Sequence, residues 1–381
     1  MHDRHAPGSQ FREPGAVLLD TAKQGPGEGA LLFAHPLREL EARAGADVIP
    51  VLEAANQAVE AGYHVAGFVS YEAGAACVGL PTARIGPEPL VWLGVYTRPM
   101  ALELPEAESA VPIGERRLAI DRDAYEVAIR RIKEHIREGD VYQVNLTTSL
   151  TFDYDGDPFA VYRQLRTRQR VAYGAFIPRP NGAILSFSPE LFFSIDGREI
   201  IARPMKGTAR RGGTAADDAR LGEWLLADAK NRAENLMIVD LLRNDLSRIC
   251  EVGSVQVPAL FSLETYETLY QMTSTVTGRL LPNVTLPALF RALFPCGSIT
   301  GAPKISAMQR IDAIEPEPRG VYCGAIGYVS PGGKAAFNVA IRTLELRDGH
   351  GRMGIGSGIV WDSDPRAEYE ECLLKGAFLG G

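Results

Sequence analysis

The sequence predicts an α+β protein with large antiparallel sheets, and three observations carry that prediction. Strand-like runs come in pairs around short turns. Residues 184–195 and 198–202 flank Asp196-Gly197, and 336–347 and 352–361 flank a turn containing Asp348-Gly349, the dipeptide that a type I′ hairpin prefers. Helix-like runs stand apart from these pairs, at 221–242, 286–293 and 365–378, instead of alternating strand by strand as a doubly wound parallel sheet requires. The third observation is composition. A chain of 381 residues, 46% hydrophobic and 23% charged, is globular and long enough for about two to three domain-sized units or one intertwined one.

The elements follow in order. After a polar start come an apolar run at 16–20 and a helical stretch around 51–61. Residues 65–71 and 90–96 read as strands, being β-branched and aromatic runs bounded by Gly and Pro. Segment 101–118 is rich in Pro and Glu and has no period, so it is expected to link an N-terminal region, 1–100, that packs on the core, to a catalytic domain at 119–381. Tyr125, Ile129, Ile132 and Ile136 share one helical face, with Asp121 or Asp123 as cap and Gly139 as stop. The run 141–152 alternates, setting Tyr142, Val144, Leu146, Leu150 and Phe152 on a packing face and Gln143, Asn145 and Thr147 on a polar one.

Charge and cysteine usage narrow the class. Forty Lys and Arg against 47 Asp and Glu leave a net charge of −7, so no overall field attracts nucleic acid or an anionic membrane. The five cysteines form no CxxC pair and the six histidines no zinc-binding spacing. No apolar run approaches the ~18 residues of a membrane span, and a reducing cytoplasm is the expected location.

Four stretches are able to carry chemistry. Glu368, Glu371 and Lys375 fall on one helical face. Two carboxylates one turn apart suit a hard cation, though the commoner use of such a face is a solvated surface with an i,i+4 Glu371–Lys375 pair. Asp228, Asn231 and Glu234 form a second polar stripe at spacing three, open to the same two readings. The loop 294–304, with Gly297, Ser298, Thr300, Gly301 and Lys304, offers N–H groups, hydroxyls and an ammonium as an anion site does; its spacing is not that of a phosphate-binding loop, and a tight turn fits as well. Lys206 directly follows a hairpin strand. An ordinary lysine is only about 0.04% neutral at pH 7. A nucleophilic Lys206 therefore needs desolvation or neighbouring cations, such as Arg203, Arg210 and Arg211, and the commoner fate of such a residue is a salt bridge or a carboxylate contact.

Taken together, FSPELF (187–192), RPMKGT (203–208), AENLMIVDLLRND (233–245), GSITGAPK (297–304), CGAIGY (323–328), AIRTLE (340–345) and AEYEECLLK (367–375) resemble the chorismate-utilising enzymes in order and spacing, over 121–381. The resemblance implies two large sheets with helices outside and a Mg²⁺-dependent reaction on the chorismate ring. It implies that Glu234 and Glu371 hold Mg²⁺ with Glu368 as a supporting acid, and that Glu190 protonates the C4 hydroxyl. Tyr322, Arg342 and Lys375, with the backbone at Gly356 and Gly358, would take the substrate carboxylates, beside Thr300.

Two positions divide the family. Members that add water carry a lysine base where this chain has Gln143, which disfavours isochorismate and salicylate synthesis. Members that make anthranilate usually have Ala where this chain has Lys206. The lysine is typical of aminodeoxychorismate synthases, in which it attacks C2, expels the C4 hydroxyl and yields to ammonia. GFVSYEAG (67–74) resembles the same branch, whose members are often found with a lyase. The implied partners are chorismate, ammonia and a separate glutamine amidotransferase subunit, because the chain has no Cys/His arrangement of its own for that task. Anthranilate synthesis is the alternative. A non-catalytic chorismate- or tryptophan-binding module would have lost the carboxylates or Lys206, and both are present. Gln271 stands where many relatives have His.

Overall fold

A computed structural model describes residues 10–21, 29–82, 84–104, 111–266 and 269–380. Two antiparallel ten-stranded sheets dominate it. In the first, the order is Gly301–Ala302, Gln143–Asp153, His350–Ile359, Thr343–Arg347, Gly182–Ser188, Tyr173–Arg179, Val17–Asp20, Ala30–Phe33 and Met100–Leu102, with Arg117–Leu118 added to Gln143–Asp153. In the second, it is Met205–Arg210, Leu269–Arg279, Glu199–Arg203, Leu191–Asp196, Lys334–Val339, Ala325–Ser330, His64–Val69, Val91–Tyr96 and Arg38–Ala42, with Gln256–Thr265 on Leu269–Arg279. The α+β reading holds.

The sheets pack face to face, burying Phe33, Ile177 and Ile184 of one against Phe68, Trp92 and Ile326 of the other. Three strands of each sheet come from the first 102 residues, so the N-terminal chain completes both layers. Of the expected linker, 105–110 lie outside the described residues; Met100–Leu102 and Arg117–Leu118 on either side are paired strands. Among the described residues no helix is long and apolar enough to cross a membrane.

Several helices begin where a side chain accepts the first free N–H groups. Asp121 takes the N–H of Ala124 at 2.8 Å to start Arg122–Arg137, and Asp364 takes that of Ala367 at 2.8 Å to start Pro365–Lys375. The expected helix at 221–242 is instead two, Ala215–Ala227 and Ala229–Ser247. Asp228 leaves the helical conformation and caps the second by accepting from Asn231 N at 2.8 Å.

Two further expectations are corrected. The runs 184–195 and 336–347 are not single strands. Gly182–Ser188 ends in the first sheet and Leu191–Asp196 begins in the second, while Lys334–Val339 ends in the second and Thr343–Arg347 begins in the first. The chain changes sheet at Glu190 and again at Arg342. The turn at Asp348-Gly349 has both residues left-handed (φ 49° and 81°), as type I′ requires, whereas the earlier hairpin turns on Gly197 alone (φ 63°).

Candidate active site

Lys206 lies on the outermost strand of the second sheet, where pairing with Leu269–Arg279 slips between Met205 and Thr208. Gly207, at φ 87°, makes that bulge possible, and a β-carbon there would press to 3.1 Å of Asn231. The bulge re-aims Lys206, whose Nζ donates to the carbonyl of Ser298 at 3.1 Å. The same Ser298 donates its hydroxyl to Glu190 Oε1 at 2.7 Å. Glu190 sits in the crossing between sheets, 3% exposed, with its backbone carbonyl bound by Val339 N at 3.1 Å. Burial pushes its carboxyl up to about 7, against the opposing pull of Ser298, Lys206 and the Met205 N–H. It is therefore an acid that stays partly protonated near neutrality.

Gln143 and Gly358 form the facing wall on the first sheet. A β-carbon on Gly358 would lie 2.3 Å from Gln143 Nε2 and 3.4 Å from Lys206 Nζ, so the amide and the amine meet over this glycine. The polar side of 141–152 is as buried as its apolar side, and both ends of the Gln143 amide are buried without a hydrogen-bond partner among the described residues. Tyr142, expected to pack, is 67% exposed just before the strand begins.

A second arm comes from two helices. Glu234, on Ala229–Ser247, is pushed up by burial; Lys206 and Lys230 oppose that rise, and Glu368 and Glu371 add to it. Glu371, on Pro365–Lys375, is held below its usual value: burial works against its charge, but Lys375 at 2.8 Å outweighs it, with help from Lys230 and Lys206. Lys375 also donates to the Gly356 carbonyl at 2.6 Å, which ties this helix to the strand His350–Ile359. Glu368 is buried and accepts from Ser363 at 2.8 Å. The Glu371–Lys375 pair is formed, and the carboxylates of Glu234 and Glu371 both lie within the influence of Lys206. These oxygens suit a hard dication, whose charge would relieve the repulsion among the three glutamates. They are not drawn tight. Among the described residues the group of three acidic or His side chains with ligand atoms within 4.8 Å of one another is His135, Glu138 and Asp140.

Other expected residues stand further back. Arg342, left-handed at φ 50° in the second crossing between sheets, donates to Gln169 Oε1. Thr300 is fully buried and turns its hydroxyl into its own loop, onto the Cys296 carbonyl at 2.9 Å. The buried ring of Tyr322 lies across Gly354, where a β-carbon would come within 2.0 Å of it. Lys304 is no anion ligand, because its ammonium is buried on Asp245 at 2.6 Å and the Leu293 carbonyl at 2.9 Å. Of the arginines near Lys206 in sequence, Arg203 is spent on Glu264 and Arg211 on Asp218. Sequence analysis gave Ser298 no role beyond a loop hydroxyl, and the only signal was its place in the loop that holds Thr300.

This fold and this cluster define a class. The family model for chorismate binding enzymes matches residues 101–380, and the chain belongs to that family. It is 42% identical over 286 residues to aminodeoxychorismate synthase component 1 of Klebsiella aerogenes, covering 75% of this chain and 62% of the relative. It is 44% identical over 254 residues to the protein of the same name from Escherichia coli K12, covering 67% and 56%. The chain thus spans less than two thirds of the length of these curated relatives. Among solved structures, anthranilate synthase component I from Streptococcus pneumoniae superposes with a TM-score of 0.81 at 28% identity, covering 94% of this chain and 93% of that one.

Proposed function

We propose that this chain is the chorismate-aminating component of an aminodeoxychorismate synthase, converting chorismate and ammonia to 4-amino-4-deoxychorismate on the way to p-aminobenzoate and folate. The observation that carries this reading is Lys206 held on Ser298, with Glu190 on the same residue. Lys206 attacks C2 as the C4 hydroxyl departs, Glu190 gives that hydroxyl its proton, and ammonia then enters at C4 as the lysine leaves. Gln143 is a neutral amide and cannot make water a competing nucleophile.

Glu234 and Glu371, supported by Glu368, would hold Mg²⁺, which supplies charge to the substrate's carboxylate when bound. Lys375, Arg342, Tyr322 and Thr300, with the backbone of Gly356 and Gly358, form the carboxylate-binding surround. Lys375 and Arg342 would exchange their present partners for substrate. Ammonia comes from a separate glutamine amidotransferase subunit, and a lyase consumes the product. The reaction belongs in the cytoplasm.

A second reading, anthranilate synthesis, is favoured by the whole-length likeness to the Streptococcus pneumoniae protein. Mass spectrometry of the product from chorismate, Mg²⁺ and an ammonium salt separates the two. Aminodeoxychorismate is expected, and anthranilate as the main product overturns the first reading.

A further inference from the structure

We propose that Ser298 is a positioning residue, holding Glu190 for proton delivery and locking it to Lys206 through one residue. This rests on the reading that Glu190 is the acid and Lys206 the nucleophile. Its hydroxyl donates to Glu190 Oε1 at 2.7 Å and its carbonyl accepts from Lys206 Nζ at 3.1 Å. The donor to the departing hydroxyl and the attacking amine therefore share a single anchor.

The loop does not need this hydroxyl to keep its shape. The single turn Gly297–Ile299 is closed by Thr300, whose hydroxyl donates to the Cys296 and Gly297 carbonyls at 2.9 and 3.3 Å. Arg319, itself buried, donates to the Ile299 carbonyl at 2.7 Å. Leu241 of the helix Ala229–Ser247 packs against Gly297 so closely that a β-carbon there would lie 2.4 Å from it. Apart from Glu190, the Ser298 hydroxyl has as its hydrogen-bond neighbour among the described residues the Cys296 thiol, at 3.3 Å, and the Glu190 N–H is already served by Ser188 at 3.2 Å. What the hydroxyl adds falls on the carboxyl group.

Two consequences follow for Glu190. An Oε1 that accepts from Ser298 favours Oε2 as the oxygen that carries the acidic proton. A hydroxyl donor also favours the charged form, so removing it lifts Glu190 further above its present value of about 7. The titratable groups facing Glu190 are Lys206, on Met205–Arg210, and Cys296, whose thiol burial pushes up to about 12 and so keeps neutral. Neither takes the place of the hydroxyl.

The test compares the purified full chain with Ser298→Ala and Ser298→Thr. Infrared spectra of each protein, minus the spectrum of its Glu190→Gln counterpart, follow the protonated carboxyl of Glu190 against pH. Rates are measured with Mg²⁺ and free ammonia held constant. Ser298→Ala is expected to move the Glu190 midpoint upward and to carry the alkaline limb of the rate profile with it. It should lower kcat about tenfold, a part of the roughly 10²–10⁴ that a positioned acid supplies, with KM for chorismate little changed. Ser298→Thr keeps the hydroxyl and should keep the midpoint. A midpoint unmoved in the Ala variant overturns the proposal; so does a rate lost equally at every pH, or a Thr variant shifted as far as Ala. The infrared arm needs no turnover. If the wild-type chain forms no aminated product while the midpoints move as expected, the proposed function fails and the hold of Ser298 on Glu190 stands.

Discussion

The two arms of the site differ in how completely the protein finishes them. Glu190 and Ser298 are 3% and 5% exposed and joined at 2.7 Å, while the Glu371 and Lys375 side chains are 52% and 42% exposed and neutralise each other at 2.8 Å. The first arm is assembled by strand crossings and a packed loop, which hold it ready without ligand. The second stands on two helices whose carboxylates repel, and under the proposed function cation and substrate would complete it. Proton transfer demands placement to a fraction of an ångström in a dry setting, whereas binding a dianion with its cation needs an open approach.

The largest test strikes the finished arm. Lys206→Ala should lose roughly 10³-fold or more of C4 amination, as when a covalent nucleophile is removed, with residual amination shifted towards C2. Lys206→Arg should not rescue it, because a guanidinium has no usable lone pair. Full C4 amination in the Ala variant would reduce Lys206 to a carboxylate ligand.

Acidity gives the next effect. Burial sets Glu190 near 7, and it must be protonated to act, so turnover at constant free ammonia should be present below about pH 7 and fall as pH rises through that value. A profile flat from pH 6 to 9 removes Glu190 as the acid. The unfinished arm should respond to its cation instead. Glu371→Gln should raise the Mg²⁺ concentration for half-maximal rate by about 10- to 100-fold with the melting temperature unchanged, and an unaltered Mg²⁺ titration returns that face to solvent.

Smaller effects probe the wall between the arms. Gly358→Ala puts a methyl 2.3 Å from the Gln143 amide and should cost about tenfold in kcat/KM by pushing that amide towards Lys206; wild-type kinetics would show that the wall yields freely. Gln143→Lys should yield a trace of water-addition product. Its complete absence from sensitive mass spectra argues that this side chain does not select the nucleophile.

Much of the helix-borne arm is legible in sequence. The 0, 3, 7 spacing of Glu368, Glu371 and Lys375 survives because helical periodicity is local, and the Asp364 cap that starts their helix lies next to it. The finished arm is legible only as residue types. Nothing in the apolar run 184–195 marks a change of sheet except Pro189, which cannot supply a ladder N–H, and the matching change at Arg342 has no proline at all. Asp228 was read as one member of a polar stripe, yet an Asp three residues before Asn231 is also a capping signal, and the cap prevailed.

By itself the sequence determined the class of fold, the Asp121-capped helix and the positions of the hairpin turns, because the patterns that mark them are local. Only tertiary structure decided that the first hundred residues complete both sheets, that Lys304 is consumed by Asp245, and that Ser298 stands between Glu190 and Lys206. The side-chain contacts among these join residues 59, 92 and 108 positions apart, Lys304 with Asp245, Lys206 with Ser298, and Ser298 with Glu190. Pairing across such distances is chosen by burial and strand register over the whole chain, which no local pattern encodes.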